Sequence, residues 1–393
     1  MGETPLLYPS YESTSGISPR DRFLSAVERA PRGGVSLDLG YGITSYSAGA
    51  HDALRHELGL ESAPAQISAR MLNIVYPSQE IQRTCCGDLR FIAPGAPLSG
   101  SEDVDLDDCT YRDEWNLTRR LTSAGLYYDF IDPPLAGCET LDACLHALRR
   151  PHGAVARVAG MRAHAEQFRN EGFAVGTWCF AGIFEMVFWL RGYRQAYLDF
   201  GANPNLVEGL MDALLETQLE FWSAILAETE GVLDVALLTE DLGTQASLMI
   251  SPKQFRCIVR PRIEQLVRHI KKMSPSTKVL LHSDGAVFPL IADFIDMGVD
   301  ILNPIQPGAS GMDPQRIKRE FGDDLSFHGA IDIQELLRSE SPEIVRTSIH
   351  QIIELLGYGG GYVVAPAHCI QPDVSPKNIF ALVNAIRELD GYP

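Results

Sequence analysis

The chain has 393 residues, which suits one large α/β barrel or two ordinary domains. Hydrophobic residues make up 45% and charged residues 21%, so disordered and collagen-like chains are excluded. Lys plus Arg is 33 against 51 for Asp plus Glu, and the formal charge of -18 disfavours nucleic acid and anionic membranes as partners.

Residues 1–17 are polar and lack the apolar run of a signal peptide; they are predicted to be a flexible segment, with 18–393 a single domain. Ser18-Pro19-Arg20-Asp21-Arg22 predicts a capped helix start with Phe23, Leu24 and Val27 on one face. A strand is predicted at 35–39, ending at Gly40 and Gly42, and a helix at 50–58. From about 70 to 135 the pattern is irregular, with strand-like pieces at 73–76 and 89–92. This stretch reads as an excursion packed on one face of the main fold, and its acidic run 102–108 as a solvated loop. Helices are predicted at 140–150, 160–171 and 183–200 around a strand at 173–178, and a long amphipathic helix at 205–229. The stretch 173–190 is apolar but holds Glu185 and is broken by Gly176 and Gly182, so it reads as a buried strand, a turn and a helix start, not a membrane span. Strands then alternate with helices: 235–238, helix 252–272; 278–281, helix 287–297; 301–303, helix 314–320; 325–327, helices 333–338 and 342–356; 362–365, helix 376–388. Short apolar strands separated by helices call for parallel pairing, and seven or eight such units fit a (β/α)8 TIM barrel. No GxGxxG follows the first strand, so a dinucleotide fold is unsupported. The eight cysteines have no CxxC spacing, which fits reduced thiols in a cytoplasmic protein.

Barrel chemistry sits where strands end. Those ends read Thr239-Glu-Asp-Leu-Gly-Thr-Gln245, His282-Ser-Asp-Gly285, Asn303-Pro-Ile-Gln306, His328-Gly-Ala-Ile-Asp332 and Pro366-Ala-His-Cys369. His282 and Asp284 are two apart and share a face of an extended backbone. With a histidine from another strand they supply three zinc ligands and leave one position open; the alternative is a hydrogen-bonded pair without metal. Of His368 and Cys369 only one points inward from an extended backbone, and His368 is favoured. Asp241 reads as acid, base or cationic-group anchor, or as a loop cap. Glu185 reads as a functional buried carboxyl or as a partner of Arg191. The aromatics Trp178, Phe180, Phe184, Phe188 and Trp189 read as core, and His328 as a packing or hydrogen-bonding histidine or a substrate contact.

Several motifs in one order carry a resemblance: Glu240-Asp-Leu-Gly-Thr-Gln245, His282-Ser-Asp-Gly285, Gly298-Val-Asp-Ile-Leu-Asn-Pro-Ile-Gln306, Phe327-His-Gly-Ala-Ile-Asp332 and Pro366-Ala-His-Cys-Ile-Gln-Pro-Asp-Val374. The chain resembles the uroporphyrinogen decarboxylase superfamily, which also holds corrinoid-dependent methyltransferases and has a (β/α)8 barrel. The decarboxylases carry an Arg-rich segment after the first strand; here Leu39-Gly-Tyr-Gly-Ile-Thr-Ser-Tyr46 has no arginine, which argues against uroporphyrinogen as substrate. The methyltransferases hold zinc with a His-x-Cys pair and a Cys on the last strand. His282 matches their histidine, Asp284 stands at the first cysteine, and His368 at about the last. The resemblance thus implies a zinc or other divalent metal on His282, Asp284 and His368, and methyl or one-carbon transfer with a corrinoid or thiol partner. Catalytic roles are expected for Asp241, His282 and Asp332, and substrate contacts for Glu185, Gln245, Gln306 and His328. A corrinoid protein partner and a homodimer are left open. The alternatives are a metal-free decarboxylase in which His282 or His368 protonates the carbanion, and a silent tetrapyrrole- or corrinoid-binding protein.

Overall fold

The computed structural model describes residues 16–30, 33–61, 65–100 and 102–389; the expected flexible segment 1–17 lies, but for its last two residues, outside them. Seven parallel strands form one curled sheet: β1 (Leu89–Ile92), β2 (Ala174–Thr177), β3 (Val235–Thr239), β4 (Lys278–His282), β5 (Ile301–Ile305), β6 (Ser326–Ile331) and β7 (Tyr362–Pro366). Each is hydrogen-bonded to its neighbours in chain order. Segment 36–39 closes the cylinder. On one edge Asp38 N–H donates to Val364 O at 2.8 Å and Val364 N–H to Ser36 O at 2.9 Å; on the other Gly87 N–H donates to Leu39 O at 3.0 Å and Asp88 N–H to Leu37 O at 2.6 Å. The expected α/β barrel is present, with eight strand positions.

One position differs from expectation. Residues 89–92, expected in the excursion, are a barrel strand. Arg90 obscures the pattern, because a charge is costly in a strand covered on both faces. It stays buried by donating to Gly87 O at 2.6 Å and stacking 3.7 Å from the Phe173 ring.

Helix starts follow one recipe. Ser18, Ser251, Asp313, Ser341 and Ser375 each precede a proline and accept a backbone N–H from the first turn. Three helices depart from expectation. The stretch 183–200 is two helices, Ile183–Arg191 and Tyr193–Ala202, broken at Gly192 with φ 75°. The stretch 252–272 contains a π turn over Phe255–Val259, just before Pro261, which has no N–H to donate. Residues 333–338 form turns and no helix, because the Asp332 carboxylate takes the N–H groups of Gln334, Glu335 and Leu336.

Apart from the helix Gln79–Cys85 and strand β1, the excursion contributes to two antiparallel sheets, the first of which also takes strands from before residue 70. Tyr46–Ser47, Ile67–Ala69 and Ile74–Val75 form one; Val104–Asp107, Thr110–Arg112, Thr118–Leu121 and Tyr128–Asp132 form a meander. The acidic run expected as a loop contains the edge strand Val104–Asp107, all four residues of which are exposed. Among the described residues no helix is long and apolar enough to cross a membrane.

Candidate functional site

A cavity of about 500 Å³ opens at the carboxyl ends of the strands. Thr239 and Asp241 enter it from β3, His282 from β4 and His368 from beyond β7. The meander contributes Arg119 and Tyr127 to Phe130, and the segment after β2 contributes Trp178 to Ala181, Glu185, Trp189 and Tyr193. A larger groove of about 720 Å³ runs past Tyr197, Met249 and Phe288, but among the described residues no carboxylate, imidazole, thiol or cation lines it. The chemistry therefore belongs to the first cavity.

Donor atoms of His282, Asp284 and His368 lie within 4.8 Å of one another. His282 Nε2 is 3.9 Å from Asp284 Oδ2 and 3.7 Å from Asp241 Oδ1. Two interlocked loops hold Asp284. Its N–H donates to Asp241 Oδ1 at 3.1 Å, and Leu242 N–H donates to Ser283 Oγ at 3.1 Å. The next residue must be glycine: Gly285 has φ 86°, and a Cβ there would lie 2.5 Å from Thr244 O. Gln306 supports this turn by accepting Gly285 N–H at 2.9 Å.

Behind His282 runs a buried polar chain. Asp38 can only accept as a carboxylate, so His328 Nε2–H donates to its Oδ2 at 2.9 Å. His328 Nδ1 then accepts from Asn303 Nδ2 at 2.7 Å, and Asn303 Oδ1 accepts from His282 Nδ1–H at 2.6 Å. This assignment of tautomers leaves the lone pair of His282 Nε2 facing Asp284 and the cavity. Asp38, His328, Asn303 and His282 are all buried. His368 is held likewise from behind: its Nδ1 is 3.0 Å from Cys369 Sγ, which also receives Gln371 Nε2–H at 3.1 Å. Strand β7 has ended at Pro366, so Cys369 lies behind the ring of its neighbour and is itself buried.

Burial pulls the His368 pKa down, but the Cys369 sulfur and the Asp284 and Asp241 carboxylates outweigh it and hold it at about 10. Burial raises Asp284, with Asp241 adding to the effect and both histidines opposing it. Glu240 is buried, and its carboxylate accepts Ile183 N–H at 2.7 Å and Phe184 N–H at 2.8 Å at a helix N-terminus. Burial nevertheless pushes it up to about 8. Glu185 is raised well above the usual range by burial, Asp241 and Glu240.

The structure thus gathers Glu185, Asp241, His282, Asp284 and His368. It places four other expected residues elsewhere. His328 is enclosed in the barrel within the polar chain. Gln306 holds the 283–285 turn and donates to Gln245 at 3.3 Å, and Gln245 lies on an exposed loop. Asp332, expected to be catalytic, caps a turn outside the cavity lining. Arg191, weighed as a partner of Glu185, pairs with Asp199 at 2.7 Å instead. Of the five aromatics expected in the core, Phe184 and Phe188 are there, but Trp178, Phe180 and Trp189 line the cavity. Asp38 and Asn303 are the members of the polar chain that sequence reasoning did not assign; Asn303 is the single polar residue of an apolar strand, and Asp38 alternates with Ser36 between Val35, Leu37 and Leu39.

The family model described as uroporphyrinogen decarboxylase (URO-D) matches residues 165–389. A uroporphyrinogen decarboxylase of Chloroherpeton thalassium is 28% identical over 171 residues, 41% of this chain and 46% of that protein. One of Pseudomonas savastanoi pv. phaseolicola is 27% identical over 219 residues, 56% of this chain and 58% of that protein. The chain therefore matches about half the length of these relatives. Among solved structures, a methyltransferase from Methanosarcina mazei superposes with a TM-score of 0.64 at 16% identity, covering 95% of this chain and 99% of that one. That likeness concerns the fold.

Proposed function

The chain belongs to the uroporphyrinogen decarboxylase family, and on that premise we propose that it is a metal-dependent enzyme transferring a methyl or other one-carbon group, with a corrinoid or a thiol as partner. The observation that carries the reading is the convergence of His282, Asp284 and His368 donor atoms within 4.8 Å. Two imidazoles and a carboxylate with an open fourth position form a donor set suited to zinc. The partners behind each ring strengthen the fit, since ligating histidines are oriented by a hydrogen bond on their other nitrogen. Zinc in that set supplies Lewis acidity, which lowers the pKa of a thiol acceptor.

The protein's own groups do the rest. Asp241 holds the Asp284 backbone in place and stands ready at the rim to take or return a proton. The aromatic wall excludes water from the reacting groups. A polycarboxylate such as uroporphyrinogen is a poor match for this wall. Among the described residues, Arg119 is the one arginine of the lining and is already paired with Asp113 at 2.8 Å, and no lysine lines the cavity. The decisive experiment is metal analysis of purified protein after zinc reconstitution. About one zinc per chain is expected; less than about 0.2 per chain would sink the reading. His368→Ala should abolish binding and His368→Cys should retain it, because zinc accepts thiolate as readily.

One observation favours a second reading, decarboxylation without metal. His368, held protonated at about 10 beside Asp284, is placed to give a proton to the carbon left when a C–CO2 bond breaks. Metal-free protein releasing CO2 from a small carboxylic acid would select it.

A further inference from the structure

Glu185 is nine-tenths buried, with 8% of the residue exposed, and it lies in the cavity wall. Its Oε2 is fully used: it accepts Gly182 N–H at 2.9 Å and the Thr239 hydroxyl at 2.8 Å. These contacts complete the helix cap without any help from Oε1. Among the described residues nothing donates to Oε1. Oε1 thus keeps its acceptor capacity for a donor that enters the cavity Glu185 lines.

The surroundings restrict what that is. Trp178, Phe180, Trp189 and Tyr193 line the cavity along with Glu185, and Asp241 and Asp129 add two further carboxylates. The guanidinium of Arg119 lies 4.7 Å from the Trp189 ring but is committed to Asp113. His368 answers the charge of Asp241 and Asp284, but among the described residues no cation acts on Glu185, whose charged neighbours are Asp241 and Glu240. A ligand matching both features carries positive charge, an N–H, and a shell of alkyl groups that can rest on ring faces.

We infer that the cavity binds a protonated alkylamine, with its N–H donated to Glu185 Oε1 and its alkyl groups against Trp178, Phe180, Trp189 and Tyr193. This names a substrate class for the reading above, and rests on it only in taking this cavity as the substrate's. A cation there also offsets the burial and carboxylate repulsion that hold Glu185 above its usual range.

Three probes of one shape test the inference on the full chain, metal-free and zinc-loaded, by quenching of tryptophan fluorescence. N,N-dimethylethanolamine is protonated at neutral pH, 3-methylbutan-1-ol replaces its N–H by C–H, and 3-methylbutanoate carries the opposite charge. The amine is expected to bind at least about tenfold more tightly than the alcohol, with the carboxylate weakest. Glu185→Gln should remove the preference for the amine and leave the alcohol unchanged. Should that variant fail a circular-dichroism check of folding, Asp241→Asn at the rim should narrow the preference at least about threefold. Equal binding of amine and alcohol, tightest binding of the carboxylate, or an undiminished preference in the folded Glu185→Gln protein would each overturn the inference. A chain that prefers the amine yet takes up no zinc refutes the metal reading and leaves this one standing; a chain that takes up zinc without the preference does the reverse.

Discussion

The two ends of the barrel use acidic residues in opposite ways. At the amino ends of the strands, Asp88, Asp234 and Asp300 each stand just before an alternate strand, β1, β3 and β5. Each accepts the N–H of the adjoining strand: Leu37 at 3.4 Å, Val175 at 3.0 Å and Val279 at 2.6 Å. Each also has a cation, Arg22 for Asp88, Arg20 and Arg169 for Asp234, and Lys271 for Asp300. At the carboxyl ends, no lysine or arginine among the described residues pairs with Glu185, Asp241 or Asp284; Asp241 and Asp284 face the imidazoles of His282 and His368. The first end closes its charges into the scaffold. The second leaves them for something that arrives.

If that contrast is right, its largest consequence is at the bottom. Asp88→Ala strands the buried Arg22 guanidinium and should cost about 3–5 kcal/mol in urea unfolding. A loss below about 1 kcal/mol would break the comparison. At the top, Asn303→Ala cuts the chain that orients His282, so zinc affinity should fall about 10–100-fold in competition with a chromophoric chelator. Unchanged affinity would mean that the ring is aimed by its packing alone. Cys369→Ser should cost less than about tenfold in the same assay, because a hydroxyl oxygen can still accept from His368 Nδ1. A larger loss would make the sulfur itself a ligand.

The smallest effect is on pH dependence. The folded protein raises Glu185 above its unfolded value, so at intermediate pH the folded state holds a proton that the unfolded state has lost. The stability this contributes is fully present below the ordinary carboxylate range of about 4.3 and is lost as pH rises through the folded value. Melting temperature should therefore decline from about pH 5 upward, and Glu185→Gln should flatten that decline. Parallel curves for the two proteins would place the carboxyl's titration outside this range.

The same contrast explains what was legible in the sequence. Strands such as Val235–Thr239 and Tyr362–Pro366 are apolar on both faces, and Ser-Pro and Asp-Pro pairs mark helix starts, so the barrel could be read directly. His282, Asp284 and His368 were readable because they sit where such strands run out. Strand β1 was legible as a strand but not as part of the barrel, since Arg90 breaks its apolar run and its stacking on Phe173 is a tertiary contact. Asp332 misled because a carboxylate at a strand exit looks the same whether it faces a ligand or three amides of its own loop. The chain from Asp38 to His282 joins residues far apart in sequence, and periodicity carries no such information.

That separation bears on how the protein matures. Asp38 and His328 are 290 residues apart, and segment 36–39 is pinned between β1 and β7. During synthesis the first strand must wait for almost the last one to be made. Contacts of that span form late and slowly, because the entropy of closing so long a loop comes before the reward. Until the cylinder shuts, the polar chain behind His282 lacks its Asp38 end. On the proposed metal reading, an ion would then be held best by chains whose two ends have met.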